Sequence, residues 1–184
     1  MFGFFKKLLM SRQMSFEQGK ILIANEISIM VHGPALIKIT DMIMREMGKE
    51  GVKTLYLAAK DGGLKLGRAF QKKFGINDLK LATLLKDLAE MGGWGVIEFK
   101  KFDPPTKTVV VKVTGSPFVD LTEMKNTKVC HMTRGLLTGG IVASLGEDYD
   151  AIETQCQNEN KKFCEFIIQP KNQIKDKKLV KEQL

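Results

Sequence analysis

Residues 130–166, CHMTRGLLTGGIVASLGEDYDAIETQCQNENKKFCEF, hold the change of period on which the fold turns. The first part reads as a helix that begins at about Asp120 or later, runs to Leu145 and is closed by Gly146. Gly135, Gly139 and Gly140 are poor helix formers one by one. Gly135 and Gly139 lie four apart, however, and so share a face that another backbone can approach closely. After Gly146 the pattern suits strands. Ala151 to Gln169 predicts a hairpin turning near Asn158-Glu159-Asn160.

Upstream, Val96 to Phe102 and Lys107 to Thr114 flank Asp103-Pro104-Pro105-Thr106, which predicts another antiparallel hairpin. Before it, Asn77 is the N-cap of a helix that buries Leu81, Leu84, Leu85, Leu88 and Met91. An earlier helix carries Leu66, Phe70 and Phe74 on one face and stops at Gly75. The first helix starts at Gly33-Pro34, repeats Leu36, Ile39, Ile43 and Met47, and ends at Gly48. Residues 20–31 are rich in Ile and Val and read as strand. The whole is an α+β domain in which an antiparallel sheet of two hairpins packs with about four helices. Nothing in it resembles the regular alternation of a doubly wound sheet. Residues 1–15 read as an N-terminal extension, with Phe2, Phe5 and Leu9 on one face of a short helix. Residues 16–170 read as a single domain and 171–184 as a basic tail.

At 184 residues, 43% apolar and 27% charged, the chain suits one globular domain with a real core. No apolar stretch is long enough to span a bilayer, and the N-terminus lacks the layout of a secretory signal. A cytoplasmic location is expected. The net charge is +8, but each end carries +3, leaving +2 for the body. Charge in solvated tails is not the basic patch of a nucleic-acid-binding surface, so nucleic acid is not an expected partner.

The three cysteines are an odd number and point away from a secreted disulfide framework. Cys156 follows Glu153 by three residues and precedes Cys164 by eight, with a turn between; Cys130 arrives from the preceding helix. Three thiolates and one carboxylate make a tetrahedral zinc set. The same cysteines also read as small buried apolar residues. His32 and His131 belong to no catalytic pattern, and Gly62, Gly63 and Gly67 do not form a dinucleotide fingerprint. No catalytic residue and no nucleotide-cofactor motif is visible.

This stretch resembles the C-terminal part of the 4-vinyl-reductase domain. In that family a Cys opens a glycine-containing helix, followed by Glu-x-x-Cys and then Cys-x-Phe. Here these are Cys130, Gly135, Gly139, Glu153, Cys156 and Cys164-Glu165-Phe166. Gly93-Trp94-Gly95 resembles a feature ahead of the family's central hairpin. The specific motif covers residues 130–166, and the order of elements extends the likeness more weakly to about residue 16. Many members have a glycine in the last turn, where this chain has Asn158-Glu159-Asn160-Lys161; Asn tolerates the left-handed conformation.

The resemblance implies the ligand-binding fold of haem gas sensors and vesicle-tethering subunits, usually dimeric. It also implies a structural zinc on Cys130, Glu153, Cys156 and Cys164, with His131 the competitor to Glu153 as fourth ligand. A cavity for a small hydrophobic molecule is implied as well, with Phe70, Leu81, Leu84, Leu85, Leu88 and Trp94 as candidate lining. Met30, Met42, Met44 and Met47 are further candidates, although plain core packing accounts for them equally. Phenol-sensing members hold the ligand hydroxyl with a His and a Trp. No His lies between His32 and His131, so a phenol-type ligand is not expected. The function that follows is a zinc-containing binding protein for a hydrophobic, hydrocarbon or tetrapyrrole-like molecule, a sensor or carrier working as a homodimer. The alternatives are a vinyl-reductase-type enzyme of tetrapyrrole metabolism with a separately supplied cofactor, and a dimeric scaffold without ligand.

Overall fold

The computed structural model describes residues 14–103, 105–146, 148–175, 179, 182 and 183. The helix face expected at Phe2, Phe5 and Leu9 lies outside the described residues. Three short strands come first, β1 (Met14–Glu17), β2 (Lys20–Ile23) and β3 (Glu26–Ser28), paired antiparallel in that order. Their two-residue turns, Gln18-Gly19 and Ala24-Asn25, have positive φ at both positions. That geometry matches the twist of a hairpin. The strand expected over 20–31 is therefore two strands, and β1 precedes them.

Helix α1 (Gly33–Phe74) opens with Pro34 in its first turn and closes at Gly75, whose left-handed backbone returns its N–H to Gln71 O. The expected stop at Gly48 is a break (φ 55°, ψ −125°), after which the helix resumes at once. The first two expected helices thus join end to end. Helix α2 (Asp78–Met91) follows, then β4 (Val96–Asp103) and β5 (Thr108–Thr114), and a single turn α3 (Pro117–Asp120). Helix α4 (His131–Leu145) starts later than the sequence predicts and ends on Gly146 as expected. The irregular stretch ahead of it is tied to α1 by buried Asp41. That carboxylate accepts from Thr122 Oγ1 at 2.7 Å and Glu123 N at 2.9 Å. The last hairpin is β6 (Tyr149–Gln155) and β7 (Cys164–Pro170).

The two expected hairpins join through β5 and β7 into one antiparallel sheet, order β4-β5-β7-β6. On β5, Val109, Val111 and Val113 are buried and alternate with half-buried neighbours. This is the period-two pattern of a strand with one face on a core. Phe166 and Ile168 of β7 join them, and Leu137 and Ile141 of α4 belong to the same apolar cluster.

The most extensive helix contact is between α1 and α4. A Cβ on Gly139 would stand 2.1 Å from Lys60 O, and one on Gly135 would stand 2.3 Å from Tyr56 O. In the other direction, a Cβ on Gly63 would stand 2.4 Å from Leu136 O. The glycines around residue 63, which fit no phosphate-binding motif, thus serve backbone-to-backbone packing. Tyr56 and Lys60 fix the register by donating to Asp150 Oδ1 of β6 at 2.8 and 2.7 Å. Among the described residues no helix is long and apolar enough to cross a membrane.

Candidate functional site

Cys130 is the N-cap of α4, Glu153 lies on β6, Cys156 ends that strand's approach to the turn, and Cys164 opens β7. The β6–β7 pairing carries a bulge between Glu153 and Gln155. A bulge re-aims a side chain out of the strict alternation. The turn closes with Asn160 in the left-handed region (φ 60°), and Glu159 N returns to Cys156 O. Asn thus fills the role a glycine has in many relatives of this motif.

The result is a buried group of four. One ligand atom from each of Cys130, Glu153, Cys156 and Cys164 lies within 4.8 Å of all the others. Cys130 Sγ is 3.5 Å from Cys164 Sγ, and Cys164 Sγ is 3.9 Å from Cys156 Sγ. Both carboxylate oxygens of Glu153 are buried without a hydrogen-bond partner. Burial first, and then Cys156, hold the Glu153 carboxyl well above the usual carboxylate range. Hydrogen bonds from Cys130 and Cys156 push Cys164 down to about 5, while hydrogen bonds to Cys156 and Cys164, with burial, push Cys130 up. His131, on the next residue, is not part of the group. Its ring is buried, and that burial, with Arg134 nearby, pushes it down to about 3, so it is neutral.

On the far side of α4 lies an apolar cavity of about 670 Å³. Ile21 and Ile23 of β2 face Leu85 and Leu88 of α2 across it, with Leu136 and Ile141 of α4 forming the floor. Phe16, Ile29 and Met30 stand at its exposed rim. Of the six residues proposed from sequence, Leu85, Leu88 and Trp94 line this space. Phe70, Leu81 and Leu84 pack instead in the adjacent apolar cluster, Phe70 and Leu81 with no exposed surface. Of the methionines, Met30 lines the cavity, Met44 is in the core, and Met42 and Met47 are exposed. Sequence reasoning missed the wall made by β1 and β2. Those strands are too short to carry a pattern, and only the twist of their turns folds them over α2. Ser28 and Lys86 are the polar side chains among the lining residues. The Lys86 ammonium is already paired with Asp87 at 2.8 Å and Glu90 at 3.3 Å.

The fold is that of known small-molecule domains. The phenol-responsive sensory domain of the transcription activator PoxR, solved with phenol, superposes with a TM-score of 0.77 at 18% identity, covering 90% of this chain and 89% of that one. A trafficking protein particle complex subunit 3 from Naegleria fowleri, covalently bound to palmitic acid, gives a TM-score of 0.57 at 13% identity over 74% of this chain and 93% of that one. In sequence, an uncharacterised protein of Methanocaldococcus jannaschii is 25% identical over 97 residues, 50% of this chain and 54% of the relative. The chain therefore spans about half the length of the curated relative it matches. Residues 109–170 hold β5, α4, the last hairpin and all four members of the buried Cys/Glu group. Over that span the sequence matches the 4-vinyl-reductase domain family, the one that its Cys and Glu spacing resembles, and the chain carries that domain.

Proposed function

We propose that this chain is a zinc-containing protein that binds a small, uncharged, largely apolar molecule and works as a sensor or carrier. The observation that carries the reading is the cavity, about 670 Å³ in volume and walled almost wholly by aliphatic and aromatic side chains. Pockets of about 300–1,000 Å³ with few polar groups are typical of small-molecule sites. The pairing of Lys86 with two carboxylates leaves no net positive charge to recruit an anion. Neither His32 nor His131 lines the cavity, so a hydroxyl has no imidazole partner there. Hydrocarbons, long-chain alcohols and ketones fit this chemistry better than phenols or ionised fatty acids.

The buried group fits zinc. Tetrahedral Zn–S bonds of about 2.3 Å put sulfurs about 3.8 Å apart. The separations of 3.5 and 3.9 Å bracket that value. The unpartnered oxygens of Glu153 supply the fourth ligand that three thiols leave open. Four protein ligands complete a tetrahedral site, the arrangement of structural rather than catalytic zinc. Cys130, Glu153, Cys156 and Cys164 would then pin the start of α4 to the last hairpin.

A homodimer accords with the same surface. Ile29 and Met30 are 79% and 84% exposed, and Ile39 and Met42 of α1 are more than half exposed. Apolar side chains clustered in this way mark an interaction face. Light scattering at micromolar concentration is expected to report two chains per particle.

The ligand reading is tested by thermal shift and calorimetry with matched probes at pH 7: decanol, 2-decanone and naphthalene against decanoate. The uncharged probes should raise the melting temperature with the logarithm of concentration and bind with a negative heat-capacity change. Failure of every uncharged probe, or equal binding of decanoate, would defeat it.

A further inference from the structure

Glu153 sits on β6, the outer strand of the sheet. An outer strand offers one row of backbone N–H and C=O groups to whatever comes next. At Glu153 that row is occupied by the C-terminal segment. Gln183 Oε1 accepts from Glu153 N at 2.8 Å, and Gln183 Nε2 donates to Glu153 O at 3.0 Å. A side-chain amide used in this way replaces one rung of a neighbouring strand. It clamps the backbone of the residue whose carboxylate belongs to the buried Cys/Glu group.

The clamp is held from the inside. Arg134 lies one turn after Cys130 on α4 and has no exposed surface. Its Nη2 donates to Gln183 O and its Nη1 to Ala151 O, both at 2.7 Å. The guanidinium stacks over the Tyr56 ring at 4.0 Å. One buried cation therefore joins α4, β6 and the C-terminal segment around the same centre. Burying a guanidinium is costly, and it is sustained here by charge-assisted bonds and a ring face. Gln183 is itself 3% exposed, and Glu182 lines a small cleft with Lys128, His131 and Glu159 beside the start of α4.

We propose that Gln183 and Arg134 are positioning residues of the metal centre, and that the C-terminal segment forms its outer wall, so that a metal leaves only when this segment lifts. The proposal rests on the zinc reading above. Its physical basis is that Glu153 reaches the three sulfurs from a bulged, outer strand, and this strand needs a partner on its open side to keep its shape. Neither residue ligates a metal; each acts through the backbone on which a ligand is carried.

The test uses the full chain and its Gln183→Ala and Gln183→Leu variants. Each is loaded with zinc for release to an excess of chelator, and with cobalt for its absorption spectrum. Exchange of the Glu153 amide is followed by mass spectrometry or NMR. Release at least tenfold faster than from the parent is expected. The thiolate-to-cobalt bands should be kept, the ligand-field bands displaced by the altered carboxylate, and the Glu153 amide no longer protected. A generally weakened fold would lower the melting temperature without displacing those bands. Release at the parent rate in both variants overturns the proposal. A parent chain that takes up neither zinc nor cobalt defeats the metal reading itself. Exchange then decides the wall alone: protection of Glu153 lost in the variants supports it, and protection unchanged overturns it.

Discussion

The two sides of α4 are built on opposite principles. Toward the last hairpin, four ligand atoms from four places in the chain converge within 4.8 Å, every one of them buried. Toward β1–β3, about 670 Å³ is left open and the rim is apolar and exposed. The first side is specified by a few residue types at fixed separations. The second is specified by a shape, to which five elements each contribute side chains that would serve equally in a core. One helix carries both, with Cys130 at its start and Leu136, Gly140 and Ile141 farther along. The contrast teaches where substitutions should be fatal and where they should be absorbed.

The largest effect is expected on the dense side. Cys156→Ser removes one thiolate, and the remaining groups lose the ion that reconciles them. Structural zinc contributes about 10–16 kcal/mol in peptides that have no other core. Here the sheet and helices are already packed, so the loss is smaller, but it should exceed the ~1 kcal/mol of an average substitution several-fold. Elemental analysis should find no zinc, and calorimetry a melting temperature lowered by 10 °C or more, on the order set by ~2–4 °C per kcal/mol. An unchanged melting curve with zinc absent would show that the centre is ornamental to the fold.

Acidification should break the same side more gradually. Without metal, burial keeps Glu153 protonated, and hydrogen bonds with the other two sulfurs, aided by burial, keep Cys130 protonated. Cys164, pushed down to about 5, already carries the thiolate. Uptake must then displace protons from Glu153, Cys130 and Cys156, whose pKa is also raised. Affinity therefore rises with pH and falls as pH drops, by up to ~3 decades per unit while three protons are exchanged. Competition titrations between pH 6 and 8 would measure the slope. A pH-independent affinity would mean that the ligands are deprotonated beforehand.

The same contrast explains what was legible in the sequence. The ligand set could be read because the spacing of Glu153, Cys156 and Cys164 matches a hairpin whatever surrounds it. Helix ends at Gly75 and Gly146 could be read because both residues adopt positive φ, the local chemistry of a C-terminal cap. Residues 49–65 were obscured because Gly51, Gly62 and Gly63 lower helix propensity. The structure keeps this stretch helical, and at Gly63 the missing side chain admits the α4 backbone. That reason lies in a second helix far along the chain. Gln183 was illegible for the same cause: a polar residue in a charged tail carries no local sign of the strand it will clamp. Three of the six cavity residues were misplaced because helix periodicity identifies an apolar face without saying whether a core or an opening lies against it.

A substitution between the two sides should have an intermediate effect. Gly139→Ala puts a methyl 2.1 Å from Lys60 O, a backbone atom that cannot rotate away. Overpacking of this kind costs about 1–3 kcal/mol. Chemical denaturation should show it as a lower midpoint with the slope unchanged, with zinc retained. Gly62→Ala, where a Cβ meets nothing within 4 Å, is the control and should stabilise by up to ~1 kcal/mol through helix propensity. Equal effects at the two positions would refute the close-packing account of α1 against α4.

On the open side, Leu85→Trp should change binding far more than stability. The side chain lines the cavity, is half-buried and has free volume in front of it. Added bulk is therefore accommodated at a cost of about 1 kcal/mol, toward the low end of overpacking. The melting-temperature rise given by decanol should disappear, while the zinc content stays at one per chain. Continued binding of decanol would move the ligand site away from this cavity.

The smallest effect is expected from Lys86→Met, and it sharpens the claim that the cavity selects against charge. Lys86 is the ammonium on the cavity wall, with a side chain 19% exposed. Its pairs with Asp87 and Glu90 are short links on one helix, where such bonds contribute ~0.3–0.5 kcal/mol. Glu90 keeps a second role after the substitution, because its Oε1 accepts from Ile97 N at 2.7 Å and so anchors β4 to α2. Met has a similar length and keeps the apolar stem against the cavity. The fold should therefore lose about 1 kcal/mol or less. If the neutralised Lys86 contributes nothing to recognition, decanol and 2-decanone should bind the variant as they bind the parent, and decanoate should still fail. Should the parent bind decanoate and the variant lose it, Lys86 would be an anion anchor despite its two carboxylate partners, and the cavity would be a site for acids. Calorimetry on the two proteins with the same pair of probes separates the cases, because a lost charge-assisted bond changes the affinity for decanoate alone.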